Sequence, residues 1–246
     1  MKRLILAIPL LAVCSQSVHA APDEKTTTPK HPKHQTSLTK ETLKKIFTTA
    51  SDNDIDTFYN DFQYSYYFNI KSKQNEDMYL ATVLTEIGTD LIGVRENLNY
   101  SCSALPNMFG YYSRNGGYNE DGRCDDHQAN QEAIGNKAYS DRIGNGDVAS
   151  GDGYRFRGGG YAQTTGRYNY QVIVDAVNKL LNKSHTAEEF ADDIEKTHIA
   201  NLGGMGYWYQ VNASECDTMN CVTTKWNKST DTYDERESNY NFIKNL

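Results

Sequence analysis

Two glutamates separated by ten positions occupy contrasting surroundings, and the contrast points to acid–base chemistry. Periodicity predicts a helix with Leu80, Val83, Leu84, Ile87 and Leu91 on one stripe, placing Glu86 half-buried on its flank. A carboxyl there loses solvation, so its pKa rises and it keeps a proton to donate. Glu96 lies in the polar stretch Arg95-Glu96-Asn97-Leu98-Asn99-Tyr100-Ser101, where a carboxylate is expected to stay ionised. One protonated and one ionised carboxyl are what glycosidic cleavage requires. Among 32 acidic residues, however, this spacing means little by itself. A second feature is the glycine-rich run of Gly151, Gly153 and Gly158 to Gly160, which lets backbone approach a ligand closely. Gln163, Thr165 and Asn169 follow it and offer hydrogen-bond donors and acceptors to a sugar. Asp147 and Asp152 are read as organisers of the glycine turns.

The elements that must position these groups are mostly helical. Leu43, Ile46, Phe47 and Ala50 recur at helical spacing, and Ser51 with Asp54 resembles a capping box that opens a second helix through Ile55, Phe58, Tyr59, Phe62 and Tyr66. The third helix, carrying Glu86, is expected to start at Asn75 as N-cap. Residues 98–125 hold Pro106, Asn115-Gly116-Gly117 and Asp121-Gly122 and read as a loop or short hairpin region. Short helices are expected over 131–140, 170–181 and 187–199, with 205–211 a buried aromatic segment. Of Tyr111, Tyr112, Tyr154, Tyr161, Trp208 and Trp226, most are expected to be packed rather than stacked on sugar. The pattern suits one mainly α domain over 38–246, with two lobes, a loop-rich middle and a central cleft.

Residues 1–20 read as a secretory signal: Lys2 and Arg3, an apolar stretch, then Val18-His19-Ala20, with the mature chain starting at Ala21. A lipid anchor on Cys14 ranks below soluble export, because Val13 is bulky for that processing. Residues 21–37 are a disordered spacer by composition, with His31 and His34 solvated. Loss of Lys2 and Arg3 takes the basic count from 25 to 23 against 32 acidic residues, so nucleic acid is excluded as a partner. It also removes long-range steering toward an anionic wall. No later segment is apolar enough to span a bilayer, and no nucleotide-binding glycine motif implies a cofactor. Four exported cysteines favour disulfides, and proximity suggests Cys102 with Cys124 and Cys216 with Cys221, among three possible pairings. Zinc on Cys124 and His127 is the weaker alternative, so no metal is expected.

Several ordered blocks carry a resemblance. Leu84-Thr85-Glu86-Ile87-Gly88, Glu96 to Ser101, Asn136-Lys137-Ala138-Tyr139 through Arg142-Ile143-Gly144-Asn145-Gly146, and Gly151-Asp152-Gly153-Tyr154 through Tyr170 resemble the family 19 glycoside hydrolases, in particular endolysin-like bacterial and phage members. The resemblance runs from about Leu43 onward and implies a lysozyme-like fold and inverting hydrolysis of β-1,4 bonds in peptidoglycan or chitin. It implies Glu86 as general acid and Glu96 as the second acidic residue. It also implies sugar or water contacts from Gln163, Thr165 and Asn169, with Tyr100 in the Glu96 block. Val222-Thr223 with Asn227, and later Arg236, resemble the family's closing helix and cleft-flanking Asn and Arg, although Lys228-Ser229 replaces a glycine pair. Two further departures stand out. Thr85 replaces the usual His, and Gly159 replaces an arginine, which could alter the acid's pKa or impair catalysis and leave a glycan-binding protein. A periplasmic or secreted monomer acting on wall polysaccharide is the expectation.

Overall fold

A computed structural model describes residues 36–246. The signal sequence, the Ala21 cleavage site and the spacer up to residue 35 lie outside the described residues. The described chain is mainly α, as expected of a lysozyme-like protein. Its helices are α1 (Lys40–Ile46), α2 (Asp52–Phe62), α3 (Lys73–Ile87), α4 (Leu105–Met108), α5 (Gly110–Asn115), α6 (Tyr118–Asp121), α7 (Gln131–Ala138), α8 (Asp152–Arg155), α9 (Arg167–Leu181), α10 (Ala187–Asp193), α11 (Thr197–Gln210), α12 (Met219–Asn227) and α13 (Tyr233–Lys244). Extended pairing among the described residues is limited to isolated bridges, Arg95 with Gly159, Ser101 with Arg123 and Gly159 with Thr164.

Local chemistry starts the helices. Thr39 and Ser51 cap α1 and α2, each accepting a backbone N–H three residues on. α2 ends at Phe62, so Tyr66 falls in a separate short helical turn. α3 starts earlier than its apolar stripe suggested: Ser72 is the cap, and Asn75 is the residue whose N–H it receives. The predicted 187–199 helix is two helices with a corner at Ile194. There the side chain packs on Gly159 and Gly160, and a Cβ at Gly93 would lie 2.2 Å from the Ile194 carbonyl oxygen. The aromatic segment 205–211 belongs to α11, whose glycines allow close approach rather than break the helix. A Cβ at Gly206 would lie 2.9 Å from Ile173 of α9, and one at Gly204 would lie 2.7 Å from the Tyr79 hydroxyl. Region 98–125 folds as α4, α5 and α6 and forms no hairpin.

Two hydrophobic clusters result. The larger joins α1, α2, α3 and α9 through α13, with Phe58, Phe62, Tyr79, Tyr161 and Trp208 fully buried. Each such side chain contributes about 1.5–3 kcal/mol. The smaller is Leu98, Leu105, Tyr112, Ile134, Ala138 and Tyr139. Cys102–Cys124 closes beside it, and Cys216–Cys221 lies at the start of α12, the pairing that proximity suggested. The first bond takes the sulfur a zinc site on Cys124 and His127 would need. Both disulfides suit an oxidising, extracytoplasmic compartment. No helix among the described residues is long and apolar enough to cross a membrane.

Candidate active site

Glu86 sits in the last turn of α3, against α12 and α13. Its side chain is 8% exposed, and its Oε1 accepts from Nη2 of Arg236, which is 1% exposed. The residue keeps the half-buried position expected on the helix flank, while its carboxyl is turned in against α12 and α13. Burial raises the Glu86 pKa, while the Arg236 charge and hydrogen bond oppose the rise. The buried indole N–H of Trp226 works in the same direction as Arg236 without reaching bonding geometry. Arg236 also donates from Nε to Thr232 at 3.2 Å, and its Nη1 is buried without a partner. Thr85 accepts from Asn239 of α13 at 2.9 Å and donates back to the Ala81 carbonyl, so it ties α3 to α13.

Glu96 is not in a solvated loop. It is 9% exposed, which corrects the expectation of solvated surroundings, and burial raises its pKa. Three groups oppose that rise: the Tyr139 hydroxyl, donating to Oε1 at 2.7 Å; the Gly158 N–H, reaching Oε2 at 3.3 Å; and the more distant charge of Arg157. The backbone is fixed as well. Glu96 N–H donates to Gly158 O at 2.8 Å, Gly160 N–H to Val94 O at 2.8 Å, and Gly159 exchanges two bonds with Thr164. The glycine-rich run thus folds back on itself while lying along residues 94–96.

Gly158 is the meeting point. A Cβ there would lie 3.1 Å from Gln163 Oε1, 3.4 Å from Thr165 Oγ1 and 3.4 Å from the Glu96 Cβ, so these three side chains converge around its bare α-carbon. Gln163 is held at a φ of 48°, a left-handed conformation unusual for a side-chain-bearing residue. Its amide donates to Gly160 O at 3.2 Å. Thr165 donates to Gln163 O, and Asn169 donates to Thr165 O at 2.8 Å, so the predicted polar residues form a local chain opening α9. Tyr100 lies near enough to Glu96 to feel its charge and packs edge-on against Phe109. Asn227 stands apart: its side chain accepts from Ser229 N–H and closes the turn after α12. Asp147 and Asp152 organise the turns as expected, accepting Ser150 and Gly146 N–H groups at 3.0 Å. Arg167 holds the Asp152 carboxyl below the usual range.

Tyr139, Arg157 and Trp226 carry no assigned role in the spacing argument. Tyr139 lay inside a recognised block, and its contact with Glu96 spans 43 positions, beyond any local pattern. Gly159 has a steric reason. A Cβ would meet the Tyr170 hydroxyl at 2.7 Å and Ile194 at 2.8 Å, and the residue bridged across from it is itself an arginine, Arg95.

The two enclosed carboxyls have unlike partners, a guanidinium at Glu86 and neutral donors at Glu96, and Glu96 shares a bare glycine with polar side chains. Comparison with known proteins gives the class. A Haemophilus influenzae protein described as a glycosyl hydrolase family 19 domain-containing protein is 31% identical over 165 residues, covering 67% of this chain and 76% of that protein. No family model matches the chain. The chain belongs to glycosyl hydrolase family 19.

Proposed function

We propose that the protein is an exported, endolysin-like peptidoglycan hydrolase that cleaves β-1,4-glycosidic bonds with inversion. Residues 1–20 are its signal peptide, 21–37 its spacer and 38–246 a monomeric domain of two lobes about a cleft. Glu86 gives its proton to the leaving glycosidic oxygen as the C1–O bond breaks. Glu96 takes a proton from the water whose oxygen bonds C1 from the opposite face. In this reading the carboxyls stand about 6.5–9.5 Å apart, leaving room for that water. Gln163, Thr165, Asn169 and Tyr100 contact the sugar or the water, and Arg236 steadies Glu86, with Asn227 at the cleft edge. The observation that carries the reading is the convergence of Glu96, Gln163 and Thr165 on Gly158. The raised proton affinity of buried Glu86 supports it from the acid side.

Digestion of purified sacculi, resolved by mass spectrometry, tests the proposal. Soluble muropeptides are expected, with the α-anomer forming first by NMR. Chitin oligosaccharides cleaved while sacculi stay intact would make the enzyme a chitinase. A catalytically impaired glycan-binding protein, the reading favoured by an arginine-free position 159, would sediment with sacculi and release nothing.

A further inference from the structure

In an extended segment successive side chains face opposite ways, so Arg95 points away from the carboxyl of Glu96. On that other side a cavity of about 320 Å³ opens between α7, α8 and α10. Arg95, Arg155 and Arg157 line it with Tyr154, against two carboxylates, Glu132 and Asp192. Their electrostatic states differ. Arg155 is answered by Asp192 through two contacts, one of 2.8 Å from Nε. Arg95 is 10% exposed and donates to the carbonyls of Arg155 and Ala191. Its Nε is buried without a hydrogen bond, the nearest carboxylate being Glu195 at 3.8 Å.

Arg157 is the unusual member. It donates to the carbonyls of Glu96 and Tyr154 at 3.2 and 2.8 Å, and its guanidinium stacks 3.8 Å from the Tyr154 ring centre. No carboxylate lies within 4.0 Å of it among the described residues. Burial, and then the neighbouring Arg95 charge, disfavour its charged form. Two like charges, both partly desolvated and one without a counterion, are an unfavourable arrangement that an incoming anion relieves. The guanidinium is also already oriented, which favours planar, bidentate recognition of a carboxylate. Arg155 is paired with Asp192 and Arg95 lies 3.8 Å from Glu195, so Arg157 is the cation left to receive an added carboxylate.

We propose that this cavity is a carboxylate-binding subsite that takes the free carboxylate of a peptide branch carried by the glycan. The proposal rests on the peptidoglycan reading above and deepens it, since chitin offers no such group. A branch of two to four residues extends about 7–14 Å, and Arg157 bonds to the Glu96 carbonyl from the cavity side of the segment.

The test titrates the full chain, followed by NMR, with a stem tripeptide bearing free carboxylates, its methyl ester and inorganic phosphate. The tripeptide is expected to shift signals of Arg95 and residues 154–157. The ester should bind about tenfold more weakly, as should the tripeptide to Arg157→Gln, the loss expected for one charge-assisted bond. Arg155→Gln, at the exposed rim, should lose about two- to fivefold, which keeps the test decisive if Arg157→Gln misfolds. Equal binding of acid and ester, or tighter binding of phosphate than of peptide, overturns the subsite. Cleavage of peptide-free and peptide-bearing strands with the same KM also overturns it and leaves the glycosidase standing. Peptide bound at these residues with no glycan cleaved overturns the glycosidase and leaves the subsite.

Discussion

Glu86 is enclosed by helices and answered by a charge, whereas Glu96 is enclosed by loops and answered by dipoles. Burial raises the proton affinity of both. Around Glu86 the counterweight is a guanidinium from α13, itself almost wholly buried. Around Glu96 it is a phenol and a backbone N–H, with only a distant cation. A buried ion pair fixes geometry firmly but is costly if one member is lost. Neutral donors stabilise a carboxylate more gently and leave its charge easier to change. One fold thus offers two carboxyls held by different kinds of partner, a charge at Glu86 and dipoles at Glu96.

The comparison is broken or sharpened by a series of measurements. Replacing either glutamate by Gln is expected to lower kcat on peptidoglycan by about 10²–10⁴-fold. Azide, which attacks without a base, should restore turnover to Glu96→Ala and not to Glu86→Gln. Rescue of the Glu86 variant instead would exchange the two roles. Next, Arg236→Met strands a buried carboxylate and is expected to cost about 3–5 kcal/mol in urea unfolding. A loss under about 1 kcal/mol would show that apolar packing alone seats α13 on α3.

The disulfides probe the two neighbourhoods separately. Cys102–Cys124 closes a 22-residue separation on the Glu96 side, and Cys216–Cys221 closes five residues on the Glu86 side. The chain-entropy account gives about 3 and about 2 kcal/mol for their removal, measured on paired Ser variants. A reversed order would assign the difference to native-state packing.

Tyr139→Phe has a subtler effect. It removes a donor that favours ionised Glu96, so that carboxyl's pKa rises and the ascending limb of kcat/KM moves to higher pH. An unmoved limb would place the titrating base elsewhere. The smallest effect is on stability. A carboxyl with a raised folded pKa binds its proton more tightly folded than unfolded, so stability falls as pH climbs from about 4.3 through the folded value. Glu96→Gln escapes this loss, and its deficit relative to wild type should be larger at pH 4 than at pH 7.

Legibility in the sequence followed the range of the interactions. α1 and α2 could be read from Thr39, Ser51 and the apolar rhythm behind them, because caps and periodicity are local. The start of α3 was displaced by three residues because its cap, Ser72, precedes the apolar stripe from Leu80 by more than two turns. The continuity of α11 into the aromatic segment was not legible, because the partners that its glycines admit, Tyr79 and Ile173, lie far along the chain. At the site, residue types marked Glu86, Glu96, Gln163 and Thr165, but burial did not follow from composition. Glu96 sits among polar sequence neighbours and is buried by Tyr139 and Gly158, 43 and 62 positions away. The reason for Gly159 was equally hidden, since Ile194 and Tyr170 fill the space a side chain would need.

The pairing of Glu86 with Arg236 spans 150 residues, and that distance sets a time as well as a geometry. At about 5–20 residues per second of synthesis, roughly 8–30 s separate the appearance of the acid from that of its counter-charge. Through that interval the emerging chain has its acid but lacks the helix that seats it. A chain interrupted before α13 therefore carries both glutamates without the guanidinium that holds the first of them.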